Sequence, residues 1–445
     1  MNGTFNLNFV SMKKQSHLIR LTICLLIFTS TAFSQQPERC ATMQYNKLRE
    51  QQNPLIALSR KKSEALISRL ARESKFKLSQ NIITIPVVVH VIYRTNLENI
   101  PDYQILSQID VLNEDFGRTN ADASQTPSAF APVASNTGIQ FCLASRKPNG
   151  DWTNGIERRQ CADTFWQPFD AMKFYNTGGL NAWDPNSYLN IWVCNLVSPY
   201  LGYSIMPTNP IDTFIDGLVI KSRCFGRAGY VYPPYNKGRT TTHEVGHWLG
   251  LYHNWGDDGG SCLGTDLIYD TPNQADATSG CLTYPHYDAC SYPGCEATQD
   301  TGNPCSPYGI MFMNYMDYTD DACMNMFTLG QANNMINTLN VYRSSLHNST
   351  GCSPAIGIQE IPSVNGISIY PNPAANEISI LCQDVAAEKI LLSVSDISGK
   401  EILRHEKFYC SEDIPIDISS LRNGIYFLKI SSQSMSSASL FAVIR

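Results

Sequence analysis

From residue 83 the chain carries ITIPVVVHVIY, a run rich in β-branched residues and apolar at nearly every position. Such a run predicts a strand buried on both faces. The next segment, DYQILSQIDVLNEDF, spaces its apolar residues three and four apart, which predicts a helix with one buried face. Shorter apolar runs at IQFCLA, LNIWVCNL and DGLVIKS predict further strands, with a helix around TTHEVGHWLGLY, so this region reads as a mixed α/β unit. Beyond Cys352 the pattern changes to GISIYP, NEISILCQ, KILLSVSD, IDISSL, GIYFLKI and SLFAVIR, separated by the turn signals PNPAAN, SGK and RNG. Regularly spaced alternating segments of this kind predict a separate all-β sandwich of about eighty residues.

The N-terminus follows neither pattern. Lys13, Lys14 and Arg20 precede the apolar stretch LTICLLIFTSTAF, and Ala32 and Ser34 are small residues three and one before a cut, which predicts a cleaved export signal over residues 1–34. The stretch is shorter than the roughly 20 residues of a membrane helix, and no later segment reaches that length. Residues 35–78 are polar and rich in helix formers, with Arg60, Arg69 and Arg72 on a segment that lacks an apolar core, and are expected to be a removable or loosely docked piece. The expected organisation is a signal at 1–34, a propeptide at 35–78, a catalytic domain at 79–350, a linker at 351–365 and the sandwich at 366–445.

Composition narrows the class. A chain of 445 residues suggests about three units at ordinary domain size. With 43% hydrophobic and 16% charged residues it can bury a real core, which rules out wholesale disorder. A net charge of −6 speaks against a nucleic-acid partner. Of fifteen cysteines Cys24 leaves with the signal, and the fourteen behind it point to an oxidising compartment and disulfide bonds.

The strongest chemical signal is HEVGHWLGLYH at residues 243–253. On a helix His243 and His247 lie four apart and project from one face, where both imidazoles can share a metal. Gly250 lets the chain leave the helix and deliver His253 as a third ligand. Three nitrogen ligands with a fourth position open is the arrangement of a catalytic zinc. Glu244, beside the first ligand, is then placed to take a proton from a water activated for attack on a peptide carbonyl.

These residues, together with NYMDYTDDACMNMFT at 314–328, resemble the pappalysin family of metzincin metallopeptidases, including its ulilysin-like members, over roughly residues 80–345. The resemblance implies an α+β metzincin catalytic domain with a twisted mixed sheet and an active-site helix. It implies a secreted zinc endopeptidase acting on protein and peptide substrates. It makes Met316 the methionine beneath the zinc site and Tyr318 a donor to developing negative charge. It places Asp321 at the base of the pocket for the residue after the scissile bond, favouring Arg and, less well, Lys.

By the same resemblance the segment TDLIYDTP is a calcium loop, with the Asp266 carboxylate and the carbonyls of Thr265, Ile268 and Thr271 as oxygen ligands. Two crosslinks are implied, Cys262 with Cys305 and Cys281 with Cys323, leaving Cys290 to close a small loop with Cys295; Cys142, Cys161, Cys194 and Cys224 are left unassigned. ERCAT resembles a latency motif in which Cys40 would take the fourth zinc position, and an enzyme preferring Arg would be able to cut its own propeptide before Arg60, Arg69 or Arg72. YPNPAANEISI, VSDISGKEIL and LRNGIYFLKI resemble the sorting domain handled by type IX secretion machinery, which implies export through the periplasm to the exterior or cell surface. A surface adhesion protein with a zinc site that no longer turns over is the rival reading.

Overall fold

The computed structural model describes residues 1, 39–73, 82–163, 165–295, 304–353, 367–382, 389–396, 400–409, 414–431 and 436–445. Apart from Met1, the expected export signal lies outside them, as does most of the expected linker.

The apolar run at 83 forms the central strand β1 (Ile83–Tyr93), and helix-period spacing forms α3 (Asp102–Gly117). The strands β2 (Ile139–Leu143), β3 (Ile156–Gln160) and β4 (Leu189–Cys194) all pair with β1 in parallel, β2 and β3 sharing one edge of it. β6 (Leu218–Lys221) extends the sheet in parallel from β4, and β5 (Gly202–Ser204) closes it antiparallel, giving the order β2-β1-β4-β6-β5 with β3 beside β1. Alternation along β1 decides the layers: Ile85, Val87, Val89 and Val91 enter the core shared with α3, while Ile92 enters a second cluster with Trp192, Tyr203 and Val219. The active-site helix α4 (Arg239–Trp248) and α5 (Leu329–Tyr342) contribute Val245, Trp248, Met335 and Leu339 to the first of these cores.

The propeptide forms α1 (Thr42–Gln52) and α2 (Pro54–Glu73). It has no core of its own, as its composition suggests, but it is not loosely docked: Ala41 and Tyr45 enter the second cluster, and Cys40 makes a single parallel bridge to Gly202 of β5.

Four disulfides join Cys142 to Cys352, Cys262 to Cys290, Cys281 to Cys323 and Cys295 to Cys305. The expected pairs 262–305 and 290–295 are therefore corrected. Cys290 sits in a turn folded back over the 262–275 loop, with Ala275 N–H bonded to Asp288 and Ser291 hydroxyl to the Asn273 carbonyl, so it reaches Cys262 and leaves Cys295 to Cys305. The bond to Cys352 carries the covalent frame of the catalytic unit two residues past its expected end.

In the C-terminal region β7 (Ile367–Tyr370), β8 (Glu377–Cys382) and β11 (Ile414–Asp417) form one antiparallel sheet. β9 (Lys389–Asp396), β10 (Glu401–Tyr409), β12 (Gly424–Ser431) and β13 (Ser436–Val443) form another, ordered β10-β9-β12-β13. Ile378, Ile380, Val394, Leu428, Ile430 and Phe441 share a core drawn from both, so this is a sandwich.

Candidate active site

Helix α4 carries His243, Glu244 and His247, and two residues past its end stands Gly250, whose φ of +87° is the left-handed conformation that turns the chain back toward the site. That turn brings His253 beside the other two: Nε2 of His247 lies 3.1 Å from Nε2 of His243 and 3.0 Å from that of His253. Each ring is fixed from behind. Nδ1 of His243 meets the Tyr315 carbonyl at 2.7 Å, Nδ1 of His247 the Leu251 carbonyl at 2.7 Å, and Nδ1 of His253 the Asp257 carboxylate at 2.8 Å. Those oxygens accept, so each Nδ1 carries its hydrogen and each ring turns its Nε2 toward one shared point.

Three lone pairs converging at this distance repel unless a cation lies among them, so the donor set itself asks for a metal. Three imidazoles suit zinc, and the Cys40 sulfur joins them, with all four ligand atoms within 4.8 Å of one another. This is the one metal-competent group of three or more His, Cys, Asp or Glu side chains among the described residues. Burial, followed by the neighbouring His253, holds His243 and His247 well below the usual imidazole range, which keeps their lone pairs available.

Met316 lies under the site, fully buried against α4. The fit explains Gly246: a Cβ there would come within 2.5 Å of the Met316 sulfur. The Tyr318 ring stands over His243 and His253 at centroid distances of 5.6 and 5.0 Å, and its hydroxyl donates to the Cys40 carbonyl at 3.3 Å.

Glu244 is completely buried, which raises its carboxyl to about 7. Oε2 accepts from the Thr42 hydroxyl at 2.8 Å, and Oε1 has no hydrogen-bond partner. Asp321, also fully buried, accepts from the main-chain N–H of Lys237 at 2.8 Å through Oδ2, while Oδ1 is unpartnered. Burial raises its carboxyl, and the Lys237 N–H and the charge of Arg39 oppose that rise. Arg39 itself donates to the carbonyls of Tyr318 and Thr319 and stacks over Tyr235 at 4.4 Å.

The loop expected to hold calcium lies apart from this cluster. Asp266 is buried there, with Oδ1 accepting from Ile268 N–H at 2.9 Å and Oδ2 from the Thr271 hydroxyl at 2.7 Å. Sequence reasoning did not single out Asp257, Thr42 or Arg39. Asp257 follows His253 by four residues, a spacing that signals a carboxylate behind a ligand only once the metal site is known.

The family model described as pregnancy-associated plasma protein-A matches residues 179–340, and that described as secretion system C-terminal sorting domain matches residues 368–443. An extracellular metalloprotease of Arthroderma benhamiae is 32% identical over 299 residues, spanning 65% of this chain and 90% of the relative. One from Arthroderma otae is 33% identical over 268 residues, spanning 59% of this chain and 80% of the relative. Among solved structures, mature mirolysin of Tannerella forsythia with a cleaved peptide is 51% identical, with a TM-score of 0.55 over 61% of this chain and 97% of that one. A promirolysin mutant of the same organism is 45% identical, with a TM-score of 0.61 over 70% of this chain and 97% of that one. No helix among the described residues is long and apolar enough to cross a membrane. With three buried imidazoles around one point, a carboxylate beside them and these relatives, the chain belongs to the pappalysin family: it is a zinc metalloendopeptidase of the metzincin type, built as a zymogen and exported with a type IX sorting tail.

Proposed function

We propose that the mature enzyme cuts protein chains before arginine and, less readily, before lysine, and that the segment around Cys40 holds it latent until removed. His243, His247 and His253 would hold the zinc. When bound, zinc supplies Lewis acidity for activating water and polarising a peptide carbonyl.

Glu244 takes a proton from the attacking water and passes it to the leaving amine, from a position on the same helix as His243 and His247. Tyr318, whose hydroxyl burial keeps protonated, donates to the oxygen on which negative charge develops. The unpartnered Oδ1 of Asp321 awaits a guanidinium, and Arg39 of the propeptide lies close enough for its charge to be felt there. Cys40 would occupy the fourth zinc position in the precursor. Arg60 is tied to Glu50, Glu64 and Tyr252, so self-cleavage before it requires α2 to open first.

The observation that carries the reading is the partnerless Oε1 of a fully buried Glu244 next to three converging imidazoles. Glu244→Ala should retain zinc by elemental analysis and lose casein cleavage by about 10²- to 10⁴-fold. Retained proteolysis would remove Glu244 from its role, and a cleavage-site profile of the wild type with no basic preference after the cut would remove Asp321 from its own.

The turn at 265–271 is the proposed seat of a calcium ion, its ligands the Asp266 carboxylate and the carbonyls of Thr265, Ile268 and Thr271. The two hydrogen bonds to Asp266 already shape that turn around its carboxylate. Calcium added to metal-depleted, zinc-reloaded protein should raise the melting temperature; no change would discard the site.

A further inference from the structure

We infer that the catalytic unit carries a second side-chain site, on the sheet face beside β5, that takes a tyrosyl side chain of the substrate and is filled by Tyr45 in the precursor. This rests on the proteolytic reading above and adds a specificity element to it.

The edge of β5 is fully used by the propeptide. Leu201 N–H donates to the Arg39 carbonyl at 2.7 Å, Ala41 N–H to the Gly202 carbonyl at 3.0 Å, and Ser204 N–H to the Thr42 hydroxyl at 2.8 Å. Asn46 then continues the pattern with its side chain, donating to the Ser204 carbonyl at 3.0 Å and accepting from Met206 N–H at 3.2 Å. When the propeptide leaves, these groups need new partners, and an extended peptide supplies them. Alternate side chains of such a peptide point to opposite faces of the sheet, so some face away from the catalytic helix and toward the cluster that Tyr45 enters.

That cluster is built for more than an apolar plug. Tyr45 is only 4% exposed, its ring 4.9 Å from that of Tyr203, and its hydroxyl donates to Asp170 Oδ1 at 2.5 Å. The ammonium of Lys173 lies 5.3 Å from the centre of the same ring. Lys173 is wholly buried, yet its own partners, Asp170 at 3.1 Å and the Ile215 carbonyl at 2.9 Å, belong to the catalytic unit and stay when the propeptide goes. Tyr203 is likewise anchored, donating to the Phe169 carbonyl. A surface that served only to seat the propeptide would gain nothing from a buried ammonium, whose desolvation is costly. Together the aromatic wall, the cation against a ring face and the carboxylate at its far end match a phenol: phenylalanine would find the wall without the acceptor, and alanine neither.

The test uses mature enzyme and peptides that share Arg after the scissile bond and carry Tyr, Phe or Ala at each other position in turn. At one position Tyr should exceed Ala in kcat/KM by about tenfold and Phe by about threefold, and Asp170→Ala, which removes the acceptor, should abolish the Tyr-over-Phe preference, read as the ratio of the two kcat/KM values within the variant so that any general loss of activity cancels. Should Asp170→Ala fail to fold, Lys173→Met carries the same comparison for Tyr and Phe against Ala, again as ratios within the variant. The absence of an aromatic preference at every position, or one unchanged in the variant, would overturn the site. Failure of the wild type to cut any peptide would instead overturn the proteolytic reading. Calorimetry with the peptide of residues 39–53 on mature Glu244→Ala protein then decides the pocket alone: Tyr45→Ala in that peptide should weaken binding at least tenfold, and equal binding would overturn it.

Discussion

The hydroxyl of Thr42 donates to Oε2 of Glu244 at 2.8 Å, while its oxygen accepts from the N–H of Ser204. One propeptide side chain thus joins the proposed general base to the strand that borders the cleft. The latency proposed above would rest on two chemical contacts, a sulfur toward the metal ligands and a hydroxyl on the carboxylate.

Thr42→Val keeps the shape of the side chain and removes the hydroxyl. A hydrogen bond to a charged acceptor contributes about 1.5–3 kcal/mol, so the propeptide should bind mature enzyme in trans at least tenfold more weakly. Full-length Thr42→Val should also mature faster than wild type when purified alone. An unchanged inhibition constant would reduce Thr42 to a spacer.

Cys40→Ala leaves the β5 pairing and Tyr45 in place but frees the position beside the three imidazoles, so the purified precursor should lose its propeptide and gain activity on a small peptide faster than wild type. The comparison of intact-mass and activity time courses is the measurement. A silent Cys40→Ala precursor would mean that steric cover by α1, rather than sulfur, maintains latency.

The parts of the fold that were legible are those whose buried faces are largely apolar. β1, β2, β4, β6 and α3 follow from such runs, and HEVGHWLGLYH announces α4 and the site because metal ligation demands fixed spacing. α5 was not legible, because Gln331, Asn333 and Asn334 are buried in it and look like surface residues; Thr328 caps its start in a capping box with Gln331, which also bonds to Asn314. β3, IERRQ, pairs with β1 but carries three charged residues, and β5 is only three residues long, too short for any period. The cysteine pairing failed for a different reason. Crosslinks depend on which loops fold together in space, and the turn at Cys290 is set by Asp288 and Ser291 rather than by spacing.

Stability should respond to pH through Asp115, which is buried among Thr242, Tyr315 and Arg239. Burial raises its carboxyl to about 6, above the ordinary 3.8, although Arg239 opposes the rise. The folded state then binds more protons than the unfolded one between those values, so this group's contribution falls as pH rises from about 4 to about 6. In a Glu244→Ala precursor, which cannot digest itself, Asp115→Asn should flatten that part of the stability curve. Identical slopes with and without the substitution would show that the carboxyl titrates normally.

Arg343 ties the ends of α4 and α5 together beneath the site. It is 1% exposed, its two terminal nitrogens meet Asp216 at 2.8 and 3.0 Å, and its guanidinium stacks on Trp248 at 3.7 Å. Trp248 donates to the same carboxylate at 3.0 Å, so one buried anion is shared by two donors from two helices. Arg343→Met leaves Asp216 buried with its cation gone, a loss of about 3–5 kcal/mol. Asp216→Asn added to it removes the stranded charge and should recover part of that loss, because the penalty lies in the uncompensated carboxylate rather than in the missing attraction. Arg343→Lys should behave like Arg343→Met more than like wild type, since an ammonium cannot make the paired contacts or stack flat on the indole. Chemical denaturation of the three variants in the Glu244→Ala precursor reads these differences. Equal stability of Arg343→Met and the double variant would show that Asp216 finds another partner when Arg343 is lost.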